Sequence, residues 1–130
     1  MSRFVVKEFD SLNAANVKVL EIDNKNLYND FETEINRDGN LNRQIKIILR
    51  RLLAYSQGNK LPITHFRFLE REPGDRFTDF EVKSDNLRLY GFIDKNQNII
   101  VLGGKKTSQD KDITLFRRIK FEFFNSSNDE

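Results

Sequence analysis

Four cations stand near one another in the C-terminal half of the chain: Lys83, Arg88, Lys105 and Lys106. They flank three consecutive segments with strand grammar. Phe80-Glu81-Val82-Lys83 alternates apolar and polar residues, which sends one set to a core and the other to solvent. Ser84-Asp85-Asn86 is a turn cluster, and Leu87-Arg88-Leu89-Tyr90-Gly91-Phe92-Ile93 is the next strand. After the polar Asp94–Asn98 loop, the wholly apolar Ile99-Ile100-Val101-Leu102 reads as a strand buried on both faces. Gly103-Gly104 ends it, and Lys105-Lys106 follows at once. If the three strands pair in order as an antiparallel meander, the four cations converge at one side of the sheet. Preplaced cations stabilise a phosphate and the charge that develops during its transfer. An RNA 2′-hydroxyl is a built-in nucleophile, so RNA cleavage needs only charge stabilisation and proton transfer. The plainer alternative is that solvated lysines flank any hairpin.

Other chemistry is largely excluded. His65 is the only histidine and there is no cysteine, which removes any His/Cys metal site. The carboxylates lie mostly in turns, a poor start for a metal site built from them alone. No nucleophile elbow, phosphate loop or dinucleotide fingerprint is present, and Gly103-Gly104-Lys105-Lys106-Thr107 lacks the phosphate-loop spacing. His65, between Thr64 and Phe66, reads as a part-exposed strand residue, since its pKa alone makes it no more than a candidate.

The elements that must position these groups follow from periodicity. Arg3–Phe9 is a candidate short strand, and Val17–Ile22 is the better N-terminal one. Asp23 or Asn24 suits an N-cap, after which Leu27, Phe31 and Ile35 fall four apart on one helix face. Asp38-Gly39-Asn40 breaks that helix. Leu41, Ile45, Ile48, Leu49, Leu52 and Leu53 stripe a second, whose cations Arg43, Lys46, Arg50 and Arg51 project elsewhere. Gly58 fits its C-terminal cap, and Pro62 forbids continuation. So short a break predicts a helical hairpin. Ile63–Leu69 alternates as a strand before the charged Glu70–Arg76 loop. Thr107 or Ser108 can cap a last helix, with Asp110 and Asp112 in its first turn and Ile113, Phe116, Ile119 and Phe123 on one face. Lys120–Phe124 also alternates and could instead be extended. The expected fold is α+β, with a helical hairpin and a C-terminal helix packed on one side of a small, mainly antiparallel sheet.

Bulk properties agree. A chain of 130 residues makes one domain, and 12 phenylalanines supply large buried area per residue. Mean hydropathy is -0.63. Absent cysteine suits a reducing cytosol, the N-terminus has no apolar signal core, and no apolar run is long enough to span a bilayer. The chain is therefore expected to be cytoplasmic, without membrane contact. Net charge is only +2 but unevenly placed: residues 1–42 hold 5 Lys/Arg against 8 Asp/Glu, whereas 83–121 hold 9 against 4. That asymmetry favours an anionic partner for the C-terminal half.

In order and spacing, the segments from Phe80 onward resemble the RelE/ParE toxin superfamily, and within it the phage-derived, HigB-like branch. Phe80-Glu81-Val82-Lys83 is similar to the family's "ELR" strand, and Leu87-Arg88-Leu89-Tyr90-Gly91-Phe92 to its "YRLYYF" strand. Asn98–Gly104 is similar to "KIVLLHGF", and Lys105-Lys106-Thr107 to "KKT". The paired helices at about 24–57 match the family's hairpin after its first strand. The likeness covers roughly residues 17–120, which divides the chain into an extension (1–16), a toxin-like domain (17–124) and a frayed tail (125–130).

The resemblance implies a RelE-like α+β toxin of a type II toxin-antitoxin system. Such a protein inhibits translation by cleaving mRNA on the ribosome, without metal or small-molecule cofactor, and is neutralised by an antitoxin protein. Carried across, Lys83, Arg88 and Lys106 take the catalytic positions at the scissile phosphate, and Lys105, Arg50 and Arg51 are assigned to RNA binding. The alternative is a RelE-fold protein without nuclease activity, either a ParE-like gyrase inhibitor or a protein-interaction module. Several positions depart from the pattern. Lys83 replaces the commoner arginine and so lacks its bidentate fork. Glu81 reverses the sign of a lysine found in some relatives. No Tyr or His follows Tyr90. The general acid and base stay unassigned, with Glu81, Asp85 and His65 as candidates by elimination.

Overall fold

The computed structural model describes residues 3–128. Six strands and three α-helices follow in the order β1 (Phe4–Glu8), β2 (Val17–Ile22), α1 (Leu27–Asn36), α2 (Asn42–Ser56), β3 (Phe66–Phe68), β4 (Thr78–Lys83), β5 (Leu87–Asp94), β6 (Gln97–Lys105) and α3 (Gln109–Asn128). They form one sheet in the order β1-β2-β6-β5-β4-β3. Neighbours are antiparallel except β2 and β6, which run parallel. The architecture is α+β with a mixed sheet.

The meander is present and longer than its apolar runs. Lys95 and Asn96 both adopt positive φ, 51° and 67°, closing a two-residue turn between the paired Asp94 and Gln97. That backbone twist matches the twist of the flanking strands, so pairing continues to the turn. A bulge follows between Tyr90 and Gly91. Gly91 is required there, because a Cβ would lie 2.6 Å from the Phe80 ring and from the Ile99 carbonyl oxygen.

Three expectations need correction. First, the helices do not share one side of the sheet. Strand alternation sends Phe80, Val82, Leu87 and Leu89 into a core with Ile35, Ile48 and Leu52 of the hairpin. Tyr90, Phe92 and Leu102 point the other way, into a second core with Phe116 and Ile119 of α3. A strand apolar on both faces needs cover on both, and α3 supplies the second layer. Second, α1 is capped by Asn26, whose Oδ1 accepts from the Asn29 N–H at 2.9 Å. Asp23 and Asn24, at φ 51° and 68°, instead make the turn leading to it. Third, β3 is shorter than its alternation. The Pro62 carbonyl accepts from the N–H groups of His65 and Phe66 at 2.8 and 3.1 Å, folding 62–65 into a turn and leaving Ile63 70% exposed.

Residues 4–8 pair with β2 and extend the sheet. Helix α3 continues to Asn128, through part of the segment read as a frayed tail; Asp129 and Glu130 lie outside the described residues. The entry to α3 is a 3-10 turn, Lys106–Ser108, and Ser108 Oγ donates to Asp112 Oδ2 at 2.6 Å rather than capping a backbone N–H. Further along, α3 is tied to the sheet by a buried ion cluster. Lys120 Nζ donates to both Asp79 oxygens at 2.9 and 2.8 Å and to Asp75 at 2.7 Å, while Arg117 Nε lies 3.1 Å from Glu72.

Candidate nucleic-acid interface

The cations singled out in the meander gather round one feature, the turn at Ser84–Asn86 between β4 and β5. The turn is held from several sides. Ser84 N–H donates to the Leu87 carbonyl at 3.0 Å. Gln44 of α2 accepts with its Oε1 from Ser84 Oγ at 2.6 Å and from the Asn86 N–H at 2.7 Å. Lys106 N–H donates to the Asn86 carbonyl at 2.8 Å, so the exit of β6 is tied to the same place. Register sets Lys83 opposite Arg88, Arg88 opposite Gly104, and Leu87 opposite Lys105.

The side chains differ in what they can still do. Lys105 and Lys106 are exposed. Lys83 keeps 18% of its side chain in solvent. Arg88 is only 7% exposed, and its Nη1 donates to the carbonyls of Ser84 at 2.6 Å and Leu87 at 2.8 Å. It braces the turn from within. Arg51 Nη1 likewise donates to the Lys83 carbonyl at 2.6 Å. Arg50 is exposed on α2, as are Arg43 and Lys46, and makes no hydrogen bond or ion pair to the turn among the described residues.

Two acids lie with these cations, Glu81 in β4 and Asp85 in the turn. Glu81 is fully buried, accepting from Arg67 Nε at 2.7 Å and Gln109 Nε2 at 2.9 Å, with Lys83 Nζ 3.8 Å away. Buried in this way, it is not open to a substrate. Asp85 is exposed in the turn itself. His65 is in the turn before β3, and its carbonyl accepts from the Lys83 N–H at 2.9 Å. Burial lowers the Lys83 pKa; Glu81 opposes the change, and the nearby cations Arg67 and Arg88 add to it. Lys83 therefore holds its proton less firmly than a free lysine, the property that suits lysine to proton transfer. Burial drives the Tyr90 hydroxyl far above the ordinary tyrosine range, reinforced by the charges of Glu81 and Asp112, so it remains a neutral donor. The Tyr90 O–H faces Glu81, and Arg88 Nε–H is buried without a hydrogen-bond partner among the described residues.

Arg67, Tyr90 and Gln109 are site members that residue patterns did not single out. Arg67 had a signal, since it alternates with Phe66 and Phe68, but only the β3–β4 register reveals that it faces Glu81. Gln109 had none, because it arrives from α3 on the far side of the sheet.

Among the described residues no group of three His, Asp or Glu side chains could hold a metal ion, and no helix is long and apolar enough to cross a membrane. No protein-family model, curated protein or solved structure matches this chain.

Proposed function

We propose that this chain is a RelE/ParE-like toxin of the phage-derived HigB-like kind. On this reading it cleaves mRNA on the ribosome without a metal, acts in the cytoplasm and is neutralised by an antitoxin. The observation that carries the reading is the imbalance around Glu81. One carboxylate is met by Arg67 and Lys83, with Arg88 next to Lys83, beside two exposed lysines and the unpartnered Arg88 Nε–H. Excess positive charge in a partly dry site is far more effective on a phosphate than the same charge in water.

In the cleavage, the RNA 2′-oxygen attacks the adjacent phosphorus as its proton leaves to a base. The bond from phosphorus to the 5′-oxygen breaks, that oxygen takes a proton, and the products are a 2′,3′-cyclic phosphate and a 5′-hydroxyl. On this reading Lys83 holds the phosphate and, with its lowered proton affinity, gives a proton to the leaving oxygen. Lys106 and Lys105 add charge from the rim. Arg88 positions the turn and contributes charge from behind it.

The burial of Arg88 and of Glu81 favours a second reading, a toxin-fold protein without nuclease activity. Induced expression followed by mapping of transcript ends separates the two. Cleavage predicts growth arrest with new 5′-hydroxyl ends, both lost in Lys83→Met and Lys106→Ala variants whose circular dichroism is unchanged. Arrest with intact transcripts selects the second reading. Undiminished cleavage by both variants refutes the site.

A further inference from the structure

Beside the cation cluster, edge strand β3 borders an apolar cleft of about 630 Å³. Tyr55, Leu61, Pro62, Ile63, Phe66 and Phe68 line it, with Lys60 and Arg67. Its aromatic wall is ordered. Tyr55 stacks on Phe66 with centroids 4.0 Å apart and planes 21° from parallel, and Phe66 stacks on Phe80 in turn at 5.5 Å. Phe68 stands nearly perpendicular to Phe66, at 88°, and is 55% exposed. Apolar side chains this exposed beside one another mark a binding surface.

The charges around the cleft indicate what binds there. Both charged residues lining it are cations, and no carboxylate does. Lys60 is exposed and has no ion pair among the described residues. Arg67 is shared with the cluster: its Nε holds Glu81, while its side chain remains 36% exposed and its terminal nitrogens have no partner among the described residues. A flat apolar slot framed by cations suits a ligand that is planar on one side and anionic on the other. A nucleotide of a single strand is such a ligand, because every base has a face to stack and every linkage a charge.

We infer that the β3 cleft is a base-stacking subsite for single-stranded RNA, receiving the base next to a linkage held by Arg67 and Lys83. The inference rests on the reading of this rim as the RNA-facing side, but its test does not require cleavage. Strand β3 alternates across the sheet edge, with Phe66 and Phe68 on the cleft side and Arg67 facing Glu81. A strand of RNA crossing this edge meets ring and cation in turn.

The test measures binding of fluorescein-labelled oligouridylate to the purified chain by anisotropy across a salt series. Phe68→Ala should weaken binding roughly five- to 150-fold, the range for losing one stacked base, with the salt slope unchanged. Phe68→Tyr should restore it. Lys83→Met should instead flatten the salt slope. The same RNA annealed into a duplex should be indifferent to Phe68. Undetectable binding of oligouridylate by the wild-type chain at low salt overturns the inference, as does equal binding by Phe68→Ala. Self-association of the wild-type chain that Phe68→Ala abolishes also overturns it, by making the cleft an interface between copies. Intact transcripts in cells together with Phe68-dependent binding in vitro would reject the nuclease reading and leave this one standing.

Discussion

Asp79 and Glu81 lie two residues apart on the same face of β4, both buried, and their surroundings differ in one respect. Asp79 shares its cations with other acids: Lys120 also binds Asp75, and Arg117 also meets Glu72. Burial raises the Asp79 pKa despite the Lys120 contact, whereas at Asp75 the bonds from Lys120 and Glu72 outweigh burial and hold the carboxyl low. This group has enough negative charge for its cations, and its work is to fasten the Glu70–Arg76 loop and α3 to the sheet. Glu81 is outnumbered. Arg67 bonds it at 2.7 Å, Lys83 lies 3.8 Å away with Arg88 next to Lys83, and Asp112 is bonded to Ser108. Two carboxylates on one strand thus anchor a matched cluster and an unmatched one. Under the proposed function, an incoming anion would complete the unmatched cluster.

The largest effect should come from breaking the matched group. Lys120→Met leaves Asp79 buried without its main partner, and breaking such a pair costs about 3–5 kcal/mol. Urea denaturation should show it as a lowered midpoint, with little change in RNA binding by any chain that remains folded. A change of ~0.5 kcal/mol would mean that the Asp79 cluster is solvated and no more an anchor than the Glu81 cluster.

Gln44→Ala addresses the unmatched side through its scaffold. It removes the acceptor for the buried Ser84 hydroxyl and for the Asn86 N–H, at a cost of about 1–3 kcal/mol. Because the same turn sets Lys83 against Arg88, activity measured at a temperature where the variant is fully folded should fall as well. Full activity in a destabilised variant would separate the turn from the site.

Lys83→Met should change stability least. The folded-state pKa of Lys83 is below its free value of 10.5, so holding the charge there opposes folding at every pH below the folded pKa. As pH rises through the folded pKa toward 10.5, the unfolded chain binds the extra proton and that opposition fades. The variant should therefore be as stable as wild type or more so near neutrality, and its advantage should shrink in alkali. Its RNA-binding salt slope should lose about 0.7, the share of one phosphate contact on a single strand. An advantage that grows with pH would reverse the sign assigned to the site.

How much was legible in the residues differs between these regions. The meander, the helical hairpin and the gathering of Lys83, Arg88, Lys105 and Lys106 at one turn follow from alternation, spacing and turn residues, all of which act over a few positions. The sides of the sheet do not. That α3 crosses to the opposite face, bringing Gln109 to Glu81 and Lys120 to Asp79, depends on contacts 28 and 41 residues apart. Nothing local encodes which face a helix takes when the sheet has two apolar faces to cover.

The chain by itself determined the strands, the hairpin and the placement of positive charge near the Ser84–Asn86 turn, because side-chain period and turn chemistry are short-range properties. Only the tertiary structure decided that Arg88 is turned inward, that Glu81 is buried against Arg67 and Gln109, and that Phe68 stands at an open edge. Burial and ion pairing are properties of what surrounds a residue, and the surroundings come from the whole fold.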